Sequence, residues 1–223
     1  MTDYRTDRDA VRRWPDDSAA RAALEEFFVR ASEQDSVPTL GGSDLDFRGA
    51  DLSGLHLGGA WFANADLRGV ALRESWLEGC TFSEADLRGA DFTGSRLRKA
   101  DLSDCQAAEA VLRGAHLQRC DLDSADLRGA DLTDADCRNA FMPDVDLRSA
   151  VLRSVKFDGA ESYTDLGGTR IFGATVDGAS GRIAGPLDVG ESQPRLVAGA
   201  VLQAWLAAHG AQIEVVGAGP DHD

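Results

Sequence analysis

The sequence lacks the features on which membrane, secreted and nucleic-acid-binding proteins depend. No apolar run reaches the ~18 residues that span a bilayer, and residues 1–20 mix acidic and basic side chains where a signal peptide has an apolar stretch. Basic residues are scarce, with 23 Lys and Arg against 38 Asp and Glu and a net charge of −15. Because nucleic-acid binding requires a basic surface, this balance argues against direct contact with DNA or RNA. We expect a cytoplasmic protein that contacts neither membrane nor nucleic acid.

Catalytic motifs are missing as well. No glycine-rich loop is followed by the Lys-Ser or Lys-Thr of a phosphate-binding site, and no serine stands in a Gly-x-Ser-x-Gly context. Only four His are present. Two of them, His56 and His116, fall three coils apart in the repeat described next, which is too far to bind one metal ion. The sequence therefore predicts no enzyme, no cofactor and no metal.

The chain instead contains a repeat with a period of five residues, unbroken over residues 45–160. Every fifth residue from Leu45 is small or aliphatic, most often Ala, and a large apolar residue follows two places later. The large residue is Leu or Phe with three exceptions, which are Ala107, Cys137 and Met142. The motif is seen in its simplest form in Ala85-Asp86-Leu87-Arg88-Gly89.

A period of five fits neither a helix nor a long strand, whose side chains repeat every ~3.6 and ~2 residues. Within a unit the small and the large residue point to one side of a short extended piece, and the chain must then turn a corner. Gly recurs at that corner, as at Gly49 and Gly89. Two inward residues per short unit predict a solenoid whose coils bury one continuous core. All four Cys fall at inward positions, so we predict reduced core thiols.

The unit resembles the Ala-(Asp/Asn)-Leu-x-x motif of the pentapeptide repeat family, over roughly half of the chain. The resemblance implies an all-β solenoid, specifically a right-handed quadrilateral β-helix in which four units make one coil. With coils stacked at ~4.8 Å like strands, residues 45–160 would form nearly six coils and a rod of about 28 Å. The repeat pauses at Glu161-Ser162-Tyr163 and resumes at Thr164-Asp165-Leu166. This predicts a one-residue deletion absorbed at a corner.

Solenoid ends expose apolar core and strand edges, so they need caps. We predict an N-terminal tail and capping helix in residues 1–43, the β-helix in 44–183 and a C-terminal helix and cap in 184–223. Leu24, Phe27, Phe28 and Ala31 have the spacing of a helical stripe, which predicts a helix from about Asp17 to Ser32.

The predicted C-terminal helix runs from Ser192-Gln193-Pro194 to Gly210, and a short strand follows at residues 213–216. It is more apolar than one stripe requires, because Leu202 and Leu206 lie off the stripe that would face the coils. Two interpretations remain open: a plain lid, or a homodimer contact like that of gyrase-protecting members of the family. We favour the dimer. The predicted interface comprises Leu196, Val197, Val201, Leu202, Trp205 and Leu206.

Outward charges differ from one side of the predicted rod to another. The side around Phe47, Leu67 and Leu87 carries a column of Asp beside a column of Arg, which predicts stabilising ion pairs between coils. The side around Phe82 and Leu102 carries acids and no Lys or Arg. These acids are Glu84, Asp101, Asp104, Asp121, Asp123 and Asp144. The adjoining side is mostly basic, with Arg96, Arg98, Lys99, Arg119, Arg138 and Lys156.

Three aromatic residues, Trp61, Trp76 and Phe141, also point outward. We predict that Trp61 and Trp76 pack under the capping helices. The leading hypothesis from these patterns is a DNA-mimicking protein that binds DNA gyrase through the acidic side and protects it from a toxin or drug, as Qnr-type and MfpA-type members of the family do. A structural or protein-interaction scaffold with another partner is the alternative. An accessory or immunity factor of a biosynthetic pathway is a third, weaker one.

Overall fold

The chain folds into a solenoid of four-sided coils. The computed structural model describes residues 7–33, 38–157 and 162–216. Consecutive coils are joined by single parallel bridges, so that Asp46 pairs with Asp66 and Asp66 pairs with Asp86. Four such columns of bridges run along the molecule, one on each side. Four five-residue units therefore complete one coil, in agreement with the predicted architecture.

The corners explain why the motif recurs. At nearly every described corner the N–H of a small residue donates to the carbonyl of the preceding large residue, as Ala90 does to Leu87 at 2.9 Å. The residue between them has a positive φ, which is 65° at Gly89, and glycine adopts it without steric cost. The N–H of Leu87 also donates to Gln106 of the next coil at 2.7 Å. Turn and ladder together satisfy the backbone of every unit.

The large and small inward residues form one continuous core. Phe62 and Phe82 are fully buried, and their rings stack at 5.2 Å between centroids. The prediction of core thiols is confirmed, because all four Cys are buried and free. The Sγ of Cys80 donates to the Leu57 carbonyl of the previous coil at 3.1 Å. Burial raises the pKa of the Cys80 thiol to about 12.

The interruption of the repeat is accommodated differently from the prediction. Phe141 pairs with Asp165 and Asp146 pairs with Arg170, so this coil contains four extra residues rather than one fewer. A shortened unit cannot span a full side of the coil, and extra chain at the corner restores Leu166 to its buried position. Residues 158–161 lie outside the described residues.

The first helix, α1, spans Ser18–Glu33, within one residue of the predicted bounds. It begins after Asp17, whose Oδ1 accepts the N–H groups of Ala19 and Ala20 at 2.9 and 2.8 Å. Its buried side chains belong to the same hydrophobic cluster as the first coils, and they are Ala20, Leu24, Phe27 and Phe28. A single 3-10 turn, Arg8–Ala10, precedes it.

The C-terminal part contains five short strands and a second helix. They are β1 (Thr164–Asp165), β2 (Ser180–Ala184), β3 (Leu187–Asp188), β4 (Leu196–Val197), α2 (Gly199–Ala208) and β5 (Gln212–Val216). Strands β1, β2 and β5 form a parallel sheet in that order, while β3 and β4 are antiparallel. The coil ladder continues beyond the predicted limit at residue 183, since Arg170 pairs with Asp188.

Helix α2 starts later than predicted. Residues 196–197 are extended because they pair with β3, and the Arg195 N–H donates to Asp188 Oδ1 at 2.7 Å. The end at Gly210 (φ 80°) and the final strand are confirmed.

Candidate functional site

The six predicted acidic residues lie on one side of the rod. We call this side the acidic face: the outward surface of the units centred on Gly42, Phe62, Phe82, Leu102, Leu122, Met142 and Leu166. Glu84, Asp104, Asp121 and Asp144 are exposed, and Asp101 and Asp123 are half-buried. Asp101 is bridged directly to Asp121. Successive coils place these groups at steps of ~4.8 Å along the rod.

The negative charge of this face is not neutralised within the protein. None of the six acids forms an ion pair with any residue that the structure describes, and the outward positions of these units hold no Lys or Arg. Their hydrogen bonds stay inside the unit. Asp101 Oδ1 accepts the N–H and Oγ–H of Ser103 at 3.0 and 2.6 Å, and Asp121 Oδ1 accepts the N–H of Asp123 at 3.1 Å. The carboxylates therefore direct their charge towards solvent.

Half of these acids occupy strained corners. Glu84, Asp104 and Asp144 have φ values of 57°, 55° and 53°, in the left-handed region. Each such residue costs about 1 kcal/mol or more that glycine avoids. All the corners of this face from Asp44 to Asp144 are non-glycine residues. Side chains are thus retained on this face at a conformational cost.

The neighbouring Asp–Arg face is built in the opposite way. We use this name for the outward surface of the units centred on Phe47, Leu67, Leu87, Ala107, Leu127 and Leu147. Asp66 pairs with Arg68 of its own unit at 2.6 Å and with Arg48 of the adjacent coil at 3.4 Å. The Arg68 hydrogen bond holds the pKa of Asp66 below its usual value. The predicted pairs between coils are confirmed, and the shortest contacts lie within each unit.

Two acids of the acidic face were missed by the sequence prediction, and two aromatic residues predicted to point outward lie on the same face. Asp165 joins the face because the longer coil places it next to Phe141, and Asp44 stands at its first corner. Trp61 is 60% exposed and Phe141 is 48% exposed. The prediction that Trp61 packs under a helix is wrong, because the apolar side chains of α1 are buried in the core and leave the indole uncovered. Exposed aromatic residues can anchor a protein interface.

The basic face contains a cleft. We define this face by the units centred on Leu57, Leu77, Leu97, Leu117 and Cys137. Trp76 lies here between His56, at 5.5 Å between ring centroids, and Arg96, whose guanidinium carbon is 3.9 Å from the indole centroid. It does not pack under a helix as predicted, because these column neighbours cover it. The cleft has a volume of about 470 Å³ and is lined by Trp76, Glu78, Arg96, Arg98, His116, Gln118 and Arg119.

Helix α2 presents a different surface from the one predicted. Leu202 and Leu206 are 0% and 1% exposed, and Val197 is buried as well, so the prediction that these three contact a second copy is wrong. The helix packs on the core with the side that carries Leu202 and Leu206, so the predicted stripe faces outward. Leu196 and Val201 are 61% and 62% exposed, and Trp205 is half-buried.

Neither a metal site nor a membrane span was found in the described part of the chain. No group of His, Cys, Asp and Glu there has the arrangement to hold a metal ion. His56 and His116 stand in one column with Trp76 and Arg96 between them. None of the helices in residues 7–33, 38–157 and 162–216 has the length and hydropathy to cross a bilayer.

Several solved structures are similar to this chain. HetL of Nostoc sp. strain PCC 7120, a pentapeptide repeat protein involved in heterocyst differentiation regulation, is 27% identical over 72% of this chain and 86% of that one, with a TM-score of 0.37. Full-length QnrB1, a plasmid-mediated fluoroquinolone resistance protein, is 18% identical over 80% and 94%, with a TM-score of 0.49. A pentapeptide repeat protein of the Arabidopsis thaliana thylakoid lumen is 19% identical over 78% and 81%, with a TM-score of 0.22.

No curated protein matches the chain. The profile described as pentapeptide repeats matches eight copies, over residues 43–69, 65–104, 100–136 and 130–161. These segments cover more than half of the chain and coincide with the coils described above. The chain therefore belongs to the pentapeptide repeat family.

Proposed function

We propose that this protein is a non-enzymatic DNA mimic that binds a type II topoisomerase, with DNA gyrase as the candidate, and protects it from a toxin or drug. The proposal rests on the acidic face, whose six predicted acids form no ion pair within the described residues. The coils from Glu84 to Asp144 span about 14 Å, over which a DNA duplex carries about eight phosphates. Six carboxylates approach that charge density. Such a surface steers the rod towards a basic DNA-binding groove.

The choice of gyrase rests on the resemblance of the sequence to gyrase-protecting pentapeptide repeat proteins. The test is a gyrase supercoiling assay with and without a quinolone, with the purified protein added. We expect inhibition of supercoiling at high protein concentration and relief of quinolone inhibition at lower concentration. Absence of both effects, together with no binding at low ionic strength, would contradict the proposal.

A matched pair of charge reversals tests the face itself. Glu84→Lys/Asp104→Lys alters two left-handed corners of the acidic face, and Glu74→Lys/Asp134→Lys alters two exposed left-handed corners on the opposite side of the coil. Both variants change the net charge equally. We expect the first to weaken gyrase binding about tenfold or more at low salt and the second to leave it nearly unchanged. Equal losses would show that only net charge matters.

A protein-interaction scaffold with another partner is the second candidate, and the exposed Trp61 and Phe141 favour it. They stand on the acidic face four coils apart, about 19 Å. DNA has no counterpart of two such apolar anchors. If a different partner binds here, Trp61→Ala should weaken it at high salt as well as at low salt, whereas a purely electrostatic contact loses strength with salt.

We also propose that the protein forms a homodimer through Leu196, Val201 and the exposed part of Trp205. Two exposed branched side chains beside a half-buried indole support this contact. Light scattering after gel filtration should give a dimer for the wild type and a monomer for Val201→Glu. Val29→Glu is the control, because Val29 is 54% exposed on α1. A monomeric wild type would refute the dimer.

Three further points belong to this proposal: a right-handed coil, capping of its ends by α1 and by α2 with β5, and a cytoplasmic location. The capping role is supported by Leu24 and Phe28, which extend the core cluster, and by the pairing of β5 with β2. Removing β5 would leave the β2 edge unpaired, so we expect the truncated chain to aggregate. A soluble, fully folded truncation would argue against a capping role for β5.

A further inference from the structure

The cleft of the basic face is unusual in this acidic chain. Arg96, Arg98 and Arg119 all line it, and none of them forms an ion pair with a residue in the described part of the chain. Acids exceed bases by 15 charges overall, so carboxylate partners are abundant elsewhere. Other arginines of the coils, such as Arg73 and Arg113, are paired with Asp91 and Asp131. Three unpaired guanidinium groups thus converge on one concave surface.

One wall of the cleft is a stack of flat groups. The column His56, Trp76, Arg96 and His116 is set by parallel bridges, one residue per coil. The Arg96 guanidinium lies over the Trp76 ring at 3.9 Å, so its rotamer is already restricted. His116 follows as an exposed imidazole. Because His56 and Arg96 cover the two faces of the indole, the Arg96 guanidinium and the His116 imidazole are the flat groups on which a heteroaromatic base can stack.

The other side of the cleft supplies donors for an anion. The Arg98 and Arg119 side chains are exposed, and guanidinium forks bind phosphate oxygens in bidentate geometry. The Gln118 Nε2 donates to Asp136 at 2.7 Å, which fixes this amide and leaves its carbonyl oxygen as an acceptor. Glu78, the one acid in the lining, lies at the rim next to Arg98 without pairing to it in the described structure.

We propose that this cleft binds a nucleoside phosphate. The base stacks on Arg96 and His116, and Trp76 orients the Arg96 guanidinium. The phosphate is held by Arg98 and Arg119, and the Gln118 carbonyl oxygen accepts from an exocyclic amine. A volume of about 470 Å³ suits one such molecule. The site is separate from the acidic face and does not depend on the function proposed for it.

The test is calorimetric titration at low ionic strength with three probes: adenosine 5′-monophosphate, inorganic phosphate and adenosine. We expect the nucleotide to bind about tenfold or more tightly than either part alone, because stacking and ion pairing act together. No binding of the nucleotide overturns the proposal. Equal affinity for nucleotide and phosphate overturns it too, since the stacking wall then has no role. Tight binding of a single-stranded oligonucleotide without binding of the mononucleotide would also contradict it.

Variants locate the site. Arg119→Ala should weaken nucleotide binding about tenfold, whereas Arg113→Ala, an exposed arginine paired with Asp131 on another side of the coil, should leave it unchanged. Trp76→Leu should abolish the preference for nucleotide over phosphate while phosphate binding persists. A second readout is the pattern of amide shifts in NMR spectra, which should cluster on residues 76–119. Unaltered affinity in Arg119→Ala, or shifts elsewhere, would overturn the assignment.

Discussion

The acidic face and the Asp–Arg face adjoin at one corner and cover the same apolar core, yet their carboxylates differ. Those of the Asp–Arg face form ion pairs with arginines, and those of the acidic face form none within the described residues. On the Asp–Arg face, Asp66 is held by Arg68 and Arg48, and its pKa is lowered by that contact. On the acidic face, the Asp121 carboxylate accepts a hydrogen bond only from the backbone N–H of Asp123 among the described residues. The first arrangement uses charge to hold coils together. The second leaves the carboxylates without ion pairs, which is what the proposed contact with a basic partner requires.

The largest expected effects concern what the two faces have in common. Phe82→Ala beneath the acidic face and Leu87→Ala beneath the Asp–Arg face both remove fully buried side chains. We expect losses of about 3–5 and 2–5 kcal/mol in the free energy of unfolding. Denaturant titration measures both. A small loss of unfolding free energy in Phe82→Ala alone would mean that the acidic face does not rest on the core that lies beneath the Asp–Arg face.

A second comparison concerns the corners. Gly89→Ala on the Asp–Arg face forces an L-residue to a φ of 65° and should cost about 1 kcal/mol. Glu84→Gly on the acidic face relieves the same strain and should leave stability equal or higher by up to ~1 kcal/mol. Thermal unfolding of the two variants decides the point. A marked loss on Glu84→Gly would show that this side chain is structural.

A third comparison removes single charges. Asp66→Asn breaks two ion pairs and should lower the free energy of unfolding by ~0.5–1 kcal/mol, less at high salt. Asp121→Asn keeps an acceptor for the Asp123 N–H and lessens repulsion between neighbouring acids, so stability should stay equal or rise slightly. The contrast between the faces would be broken if both variants were equally destabilised.

The smallest effect is a pH dependence confined to the Asp–Arg face. Hydrogen bonds from Arg68 and Arg88 lower the folded-state pKa of Asp66 and Asp86. Their contribution to stability is therefore present above the unfolded-state pKa of ~3.9 and is lost as pH falls below it. Asp66→Asn/Asp86→Asn should show a shallower decline of stability between about pH 4 and pH 2 than the wild type. An identical decline would mean that the pairs contribute nothing.

Most of the fold could be predicted from the sequence because only a few residue types occupy the inward positions. A period of five with Leu, Phe and Ala in two phases predicts a solenoid with one continuous core. The four units per coil follow from the resemblance to the pentapeptide repeat family, and with them the sequence places Glu84 and Asp144 on one side. The longer coil could not be predicted, since the period alone does not tell a shortened unit from an extended corner. Asp165 was therefore not included among the predicted acids of this face, although it pairs with Phe141 there.

The C-terminal helix shows where periodicity fails. Ala200, Ala204 and Ala208 fit an inward or an outward stripe equally well, so the sequence could not decide which side packs. Pairing of β4 with β3 delays the helix start, and the buried side of the helix is the one with Leu202 and Leu206. The exposure of Trp61 was missed for a related reason: an outward aromatic residue near a helix can be covered or free, and only the packing of α1 decides.

Carboxylate footprinting tests the difference between the two faces most directly. The protein is labelled with a carbodiimide and an amine, alone and with gyrase, and modified residues are quantified by mass spectrometry. The account predicts fast labelling of Glu84, Asp104, Asp121 and Asp144, slow labelling of Asp66 and Asp86, and protection by gyrase of the acidic-face group only. A complex that protects the Asp–Arg face, or neither face, would contradict it.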